Sequence, residues 1–274
     1  MESSNARPLA VVTGASTGIG YELAKVFGEE GFDLVIAAQD DELDAAARQL
    51  RETDAGVSAH RVDLATEAGV VELHRRIEGI GRPVAALALN AGRGAGGAFA
   101  TETKLADELE IVDLNVRSTV HLAKLVLPDM VERDEGRILF TSSVAATIPG
   151  AFQAVYNASK SFVQSFALAL LNELKNTEVS VTALMPGPTD TEFFEVAEMD
   201  AEGKNTAVGT EDKDDPAEVA RQGFDALMAG KERVVGGSWK NKAQVAVGGL
   251  VPDRVKAEMH RKMAEPGTGD GEES

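Results

Sequence analysis

No cysteine occurs in the 274 residues, so neither a disulfide framework nor a thiolate metal site is available, and no metal ligand set is called for. Aromatic residues are scarce as well, at 5%, with only two tyrosines. A tyrosine that falls into a chemical pattern therefore carries more weight than it would in an aromatic-rich chain. Long apolar runs are missing. The longest, such as Val84 to Leu89, are far too short to cross a bilayer. Met1 to Pro8 has no apolar stretch behind a positive cluster and does not read as a secretory signal. Positive charge is in deficit, with 27 basic against 45 acidic residues and a net charge of -18, a field that repels nucleic acid and anionic membrane surfaces alike. These absences point to a cytoplasmic protein whose partner is a small molecule.

What is present is an alternation of short β-branched apolar runs with longer segments of helical period. Strands are expected at Leu9 to Thr13, Leu34 to Ala38, Val57 to Val62, Val84 to Asn90, Arg137 to Ser142 and Val179 to Met185, with a seventh near Arg233 to Gly236. Helical spacing runs through Gly20 to Gly31, Glu42 to Thr53, Glu67 to Gly79, Thr103 to Arg133 and Ala154 to Asn176. Nearly continuous apolar strands such as Val84-Ala85-Ala86-Leu87-Ala88-Leu89 imply burial on both faces. The fold class is therefore α/β: a doubly wound, Rossmann-type parallel sheet of about seven strands with helices on both faces. Ligands bind such sheets beyond the carboxyl ends of the strands. A single domain over residues 1–265 is expected, with a substrate-covering loop at about 189–215 and a disordered Gly- and acid-rich tail at 266–274.

The first strand runs into Thr13-Gly14-Ala15-Ser16-Thr17-Gly18-Ile19-Gly20 and then into a helix. Glycines there let the backbone turn tightly and approach a pyrophosphate, whose charge rests on helix N-terminal amides. Alone this could be a tight structural turn. Further residues follow later strands: Asp63-Leu64, Asn90-Ala91-Gly92, and Pro186-Gly187-Pro188-Thr189-Asp190-Thr191. Any one of them reads first as a cap or a turn. Tyr156 and Lys160 stand four apart at the head of a helical segment and share a face. A phenol is a poor acid–base group near neutrality unless a neighbouring cation favours the phenolate, and this spacing supplies one.

Taken together, these positions resemble the single-domain branch of the short-chain dehydrogenase/reductase family, with its TGxxxGxG, NAG and YxxxK motifs, over roughly Pro8 to Thr191. The resemblance implies an NAD(P)-dependent oxidoreductase moving a hydride between a nicotinamide cofactor and an alcohol or carbonyl substrate. It implies a catalytic set of Asn115, Ser143, Tyr156 and Lys160, with Ser143 thirteen residues before the tyrosine and Asn115 twenty-five after Asn90. It implies cofactor contacts from Gly14, Ser16, Thr17, Gly18, Ile19, Gly20, Gln39, Asp63, Leu64, Asn90, Ala91, Gly92, Tyr156, Lys160, Pro186, Gly187, Thr189 and Thr191. Without the resemblance, Ser143 is an ordinary turn residue and Asn115 a solvent-facing position within a helix.

Members that use NAD usually carry an acid at the end of the second strand, where this chain has Ala38 followed by Gln39. That loss favours NADP(H) slightly over NAD(H), although Thr17 and Gln39 replace basic residues common in NADP users and Asp40 and Asp41 add negative charge. One rival reading is a non-catalytic dinucleotide sensor, and the intact proton-transfer set speaks against it; another is an epimerase or dehydratase on a similar fold, and the glycine spacing speaks against that. Ala145, Phe152, Phe193 and Phe194 are expected to bound an apolar substrate pocket. The two long helices resemble those through which family members form dimers and tetramers, so a homo-oligomer is expected, although Phe162, Phe166, Leu170 and Leu174 could equally face the sheet.

Overall fold

A computed structural model describes residues 6–190, 213–238 and 252–264. Seven parallel strands form one sheet: β1 (Leu9–Thr13), β2 (Asp33–Ala38), β3 (Val57–Arg61), β4 (Val84–Leu89), β5 (Gly136–Thr141), β6 (Val179–Pro186) and β7 (Arg233–Gly236). Their order is β3-β2-β1-β4-β5-β6-β7. The chain thus winds outward one way from β1 and then the other way from β4, which leaves a crevice where β1 and β4 part. Val11 faces Val35 on one side and Leu87 on the other, and every residue of β1 is buried.

The two faces of the sheet carry separate cores. On one face, α1 (Gly18–Glu29), α2 (Glu42–Leu50) and α7 (Pro216–Met228) pack Leu23, Phe27, Leu43, Phe224 and Leu227 against β1 and β2. Phe27 meets Phe32 and Phe224 edge-on, each with ring centroids 5.1 Å apart, and this aromatic cluster locks α1 to α7. On the other face, α3 (Glu67–Glu78), α5 (Thr119–Glu132) and α6 (Ala154–Glu173) pack Leu73, Ile77, Leu122, Met130 and Val163 against Phe140 and Val181.

The expected strands and helices lie within a few residues of the observed ones, with differences of substance in the longest expected helix and in the helices that follow β6. The long helix expected over Thr103 to Arg133 is divided: α4 (Leu105–Ile111) passes into a π-helical segment, Val112–Ser118, before α5. A π-helical segment this short sets no period of its own in the sequence, which hides it from a reading of apolar spacing. Helix α7 has no counterpart among the expected helices. Its start is written in Asp215-Pro216: the Asp215 carboxylate accepts from Ala217 N at 2.8 Å, and proline opens the first turn. Most of the loop expected at about 189–215, and all of the tail at 266–274, lie outside the described residues.

Candidate active site

The crevice between the diverging strands is a cavity of about 630 Å³. At one end sits the glycine turn. Gly14 has φ +64, and a Cβ there would fall 2.9 Å from Ala91 Cα, so the turn and the segment after β4 can approach only through glycine. Gly20 is as constrained, since its Cβ would fall 1.9 Å from the Gly14 carbonyl oxygen. Asn90 fixes this approach. Its Nδ2 donates to the carbonyls of Thr13 and Gly14 at 3.2 and 3.3 Å, and its backbone N–H donates to Thr13 Oγ1 at 3.0 Å.

The turn feeds α1, whose N-cap Thr17 is extended and makes no side-chain cap. No acid stands in the first turn, so the amides of Gly18, Ile19 and Gly20 have no carboxylate competing for them. That is the environment a pyrophosphate requires, and the residues present fit a bound dinucleotide. Gly14, Ser16, Thr17, Gly18, Ile19, Gly20, Gln39, Leu64, Asn90, Ala91, Gly92, Tyr156, Lys160, Pro186, Gly187 and Thr189 all line this one cavity. Val62 and Leu64 line it on either side of Asp63, whose own carboxylate accepts from Ala65 N at 2.9 Å and shapes the turn before α3. Thr191 lies outside the described residues.

At the other end, Ser143 caps a 3₁₀ turn (Val144–Thr147) just after β5, its Oγ accepting from Ala145 N at 3.1 Å. Its side chain also hydrogen-bonds Tyr156. Burial pushes the Tyr156 phenol up to about 12, with the Ser143 bond opposing. Lys160 lies one helical turn on, its Nζ 5.9 Å from the Tyr156 ring centroid and donating to the Thr141 carbonyl at 3.0 Å. Burial pulls its ammonium down to about 8. The neighbouring serine plays a different part, since Ser142 Oγ donates to the Lys160 carbonyl at 2.9 Å and ties α6 to the end of β5.

Asn115 is not a solvent-facing helix residue. It is 1% exposed, in the π-helical segment, with Nδ2 donating to Ser159 Oγ at 2.9 Å. The same side chain pairs with the backbone of Arg93, a cavity-lining residue that carries no part in the sequence motifs although it directly follows Asn90-Ala91-Gly92. Arg93 in turn makes ion pairs with Asp107 and Glu110 of α4. Of the residues expected at the substrate pocket, Ala145 lines the cavity, while Phe193 and Phe194 lie outside the described residues. Phe152 adopts φ +63 and stacks beneath Arg261 at 5.6 Å.

A family model for short chain dehydrogenases matches residues 8–202, taking in the glycine turn, Asn115, Ser143, Tyr156 and Lys160. The chain belongs to the short-chain dehydrogenase/reductase family. It is 33% identical over 190 residues to the NADP-dependent 3-hydroxy acid dehydrogenase of Salmonella typhi, an alignment covering 69% of this chain and 75% of that one. Among solved structures it resembles a short-chain dehydrogenase from Sphingobium yanoikuyae in complex with NADPH, with a TM-score of 0.76 and 29% identity over 83% of this chain and 87% of that one. It also resembles the bulky-bulky ketone specific alcohol dehydrogenase from Comamonas testosteroni, with a TM-score of 0.73 and 26% identity over 89% and 93% of the two chains. As a member of this family the chain is an NAD(P)-dependent oxidoreductase acting on alcohol and carbonyl groups.

No helix among the described residues is long and apolar enough to cross a membrane. Of the helix positions left open by sequence, Phe166, Leu170 and Leu174 pack on the core, whereas Phe162 is 41% exposed and stacks on Phe166.

Proposed function

We propose that Tyr156 moves the proton, Ser143 holds the reacting oxygen, and Lys160 with Asn115 sets their surroundings. The observation carrying this reading is the Ser143–Tyr156 hydrogen bond, formed where the cavity meets the ends of β5 and α6. Bound nicotinamide would supply or accept the hydride at this end. With its phenol near 12, Tyr156 is protonated at neutral pH and has a proton to give to a carbonyl oxygen. Ser143 polarises that oxygen by donating to it. Lys160, held on the Thr141 carbonyl, places a cation beside the phenol, where it favours the phenolate once the proton has left. Asn115 acts through others, fixing Ser159 and the Arg93 backbone.

Beyond the glycine turn, Pro186, Gly187, Thr189 and Thr191 would hold the nicotinamide end of the dinucleotide, and Gln39, Asp63 and Leu64 its adenosine end. NADP(H) is favoured slightly over NAD(H), supported by Ala38 in place of an acid and by the cofactor of the Salmonella and Sphingobium proteins. Asp40, whose Oδ2 accepts from Ser16 Oγ at 2.9 Å, is the charge that limits this preference. The substrate is a small-molecule alcohol or carbonyl compound of apolar character, supported by Val144, Ala145 and Ile148 in the cavity lining. Cytoplasmic placement is supported by the lack of cysteine. Exposure of Leu105, Leu109, Val112 and Phe162 supports a homo-oligomer, which light scattering tests.

The deciding experiment is fluorescence titration with NADPH and NADH, followed on the same sample by carbonyl reduction with wild type and Tyr156→Phe. Binding with turnover that collapses in the variant is the expected result. Binding with no turnover of any carbonyl would establish the sensor reading instead.

A further inference from the structure

The family motifs account for the cofactor and the proton, and they leave one wall of the cavity without a role. That wall is α8 (Asp253–Ala264), which lies on the loop between Ser143 and α6. Three side chains hold it there. Lys256 Nζ meets the Thr147 carbonyl at 3.4 Å, His260 Nδ1 meets the Ala151 carbonyl at 3.1 Å, and Arg261 covers Phe152. Through this docking Met259 and His260 join Ala145, Ile148 and Gln153 in the cavity lining.

His260 is 5% exposed. A carbonyl can only accept, so the Nδ1 that faces Ala151 carries the hydrogen, and the neutral ring keeps its lone pair on Nε2. Nε2 has no partner among the described residues. Burial holds the ring below the usual histidine range, with the Ala151 bond opposing. The cations lining the same cavity are already engaged, Arg93 with Glu110 and Asp107 and Lys160 with the Thr141 carbonyl. Among the described residues, α8 therefore adds to this cavity a hydrogen-bond acceptor. It suits a hydrogen-bond donor.

We propose that His260 is a specificity-determining residue whose Nε2 accepts a hydrogen bond from a hydroxyl group that the substrate carries away from its reacting carbon. The preferred substrates are then hydroxyketones, or the matching diols in the oxidative direction. The proposal rests on the oxidoreductase reading of this cavity.

The test is a homologous series of ω-hydroxy-2-alkanones with their methyl ethers, assayed on wild type, His260→Leu and His260→Gln, together with nitrogen NMR of labelled histidine. Wild type is expected to prefer at least one hydroxyalkanone over its ether by about tenfold in kcat/KM, the worth of one hydrogen bond. His260→Leu brings that ratio to about one while turnover of the ether persists, and His260→Gln, whose Oε1 also accepts, keeps part of it. In wild type the Nε2 resonance moves with the hydroxyalkanone and not with the ether. Turnover with no hydroxyl preference, or a preference that survives in His260→Leu, overturns the proposal. Should no carbonyl be reduced while Nε2 still responds to the hydroxyl probe, the reaction reading fails and the His260 site stands. A silent Nε2 with normal turnover removes His260 alone.

Discussion

Arg93 and Asn115 hold each other by two reciprocal hydrogen bonds: the Arg93 N–H donates to Oδ1, and Nδ2 donates to the Arg93 carbonyl, each at 2.9 Å. The amide side chain thus pairs with the backbone of a loop as a neighbouring strand would. It fixes the exit of β4 relative to the π-helical segment, and through Ser159 it reaches the helix that carries Tyr156 and Lys160.

Asn115→Ala should therefore both destabilise and impair. Loss of this buried network costs about 1–3 kcal/mol, read as a lower denaturation midpoint. Turnover should fall more than dinucleotide affinity, because the misplacement is felt at Tyr156 and Lys160. Stopped-flow cofactor binding beside steady-state kcat separates the two effects.

Tyr156→Phe keeps the ring and removes the proton. An expected fall in kcat of about 10²- to 10⁴-fold, with cofactor dissociation constants little changed, marks Tyr156 as an acid–base group. Loss of cofactor binding in the same variant would assign it a structural part instead.

Lys160 and Tyr156 give the free protein a measurable pH signature. Lys160 falls from 10.5 to about 8 on folding, so the unfolded chain binds the extra proton across that window, and stability rises as pH climbs through it. Tyr156 moves from 10.0 to about 12, so the folded state keeps the proton longer and stability falls with pH between those values. Urea unfolding of wild type and Lys160→Met across pH 8 to 10.5 isolates the lysine. The variant should lose the rise, which amounts to about 3 kcal/mol at most.

Asp40 should act on cofactor choice. Its Oδ2 is held by Ser16, while its Oδ1 is buried and has no partner among the described residues. Asp40→Arg exchanges a repelling charge for one that pairs with a phosphate, and KM for NADPH should drop by about tenfold relative to KM for NADH. An unchanged ratio would place the adenosine end away from Asp40.

The sheet and its crevice were legible because central strands such as β1 and β4 are apolar on both faces and the residues of the site recur at strand ends, as with Asn90 after β4 and Ser143 after β5. Asn115 was legible only through the resemblance. Nothing local says that a polar residue amid helical spacing is turned inward by a π-helical segment, since its partners lie twenty-two and forty-four residues away. His260 as an individual residue was not legible. Its carbonyl partner lies 109 residues earlier, and the helix that bears it matches no pattern. Helix α7 could have been found, because Asp215-Pro216 is a helix start, but the acidic stretch before it draws the eye toward a loop.

Thr189 and Asp214 form an isolated parallel bridge, reinforced by Asp190 N to Asp214 O at 2.9 Å and Asp214 N to Pro188 O at 2.8 Å. Positions 189 and 214 are thereby held side by side, the first just beyond β6 and the second just before α7. The entropy of bringing together two points twenty-five residues apart in sequence is met by this pairing within the described fold. A change in the number of residues between them is therefore not passed on to the register of β6 and β7.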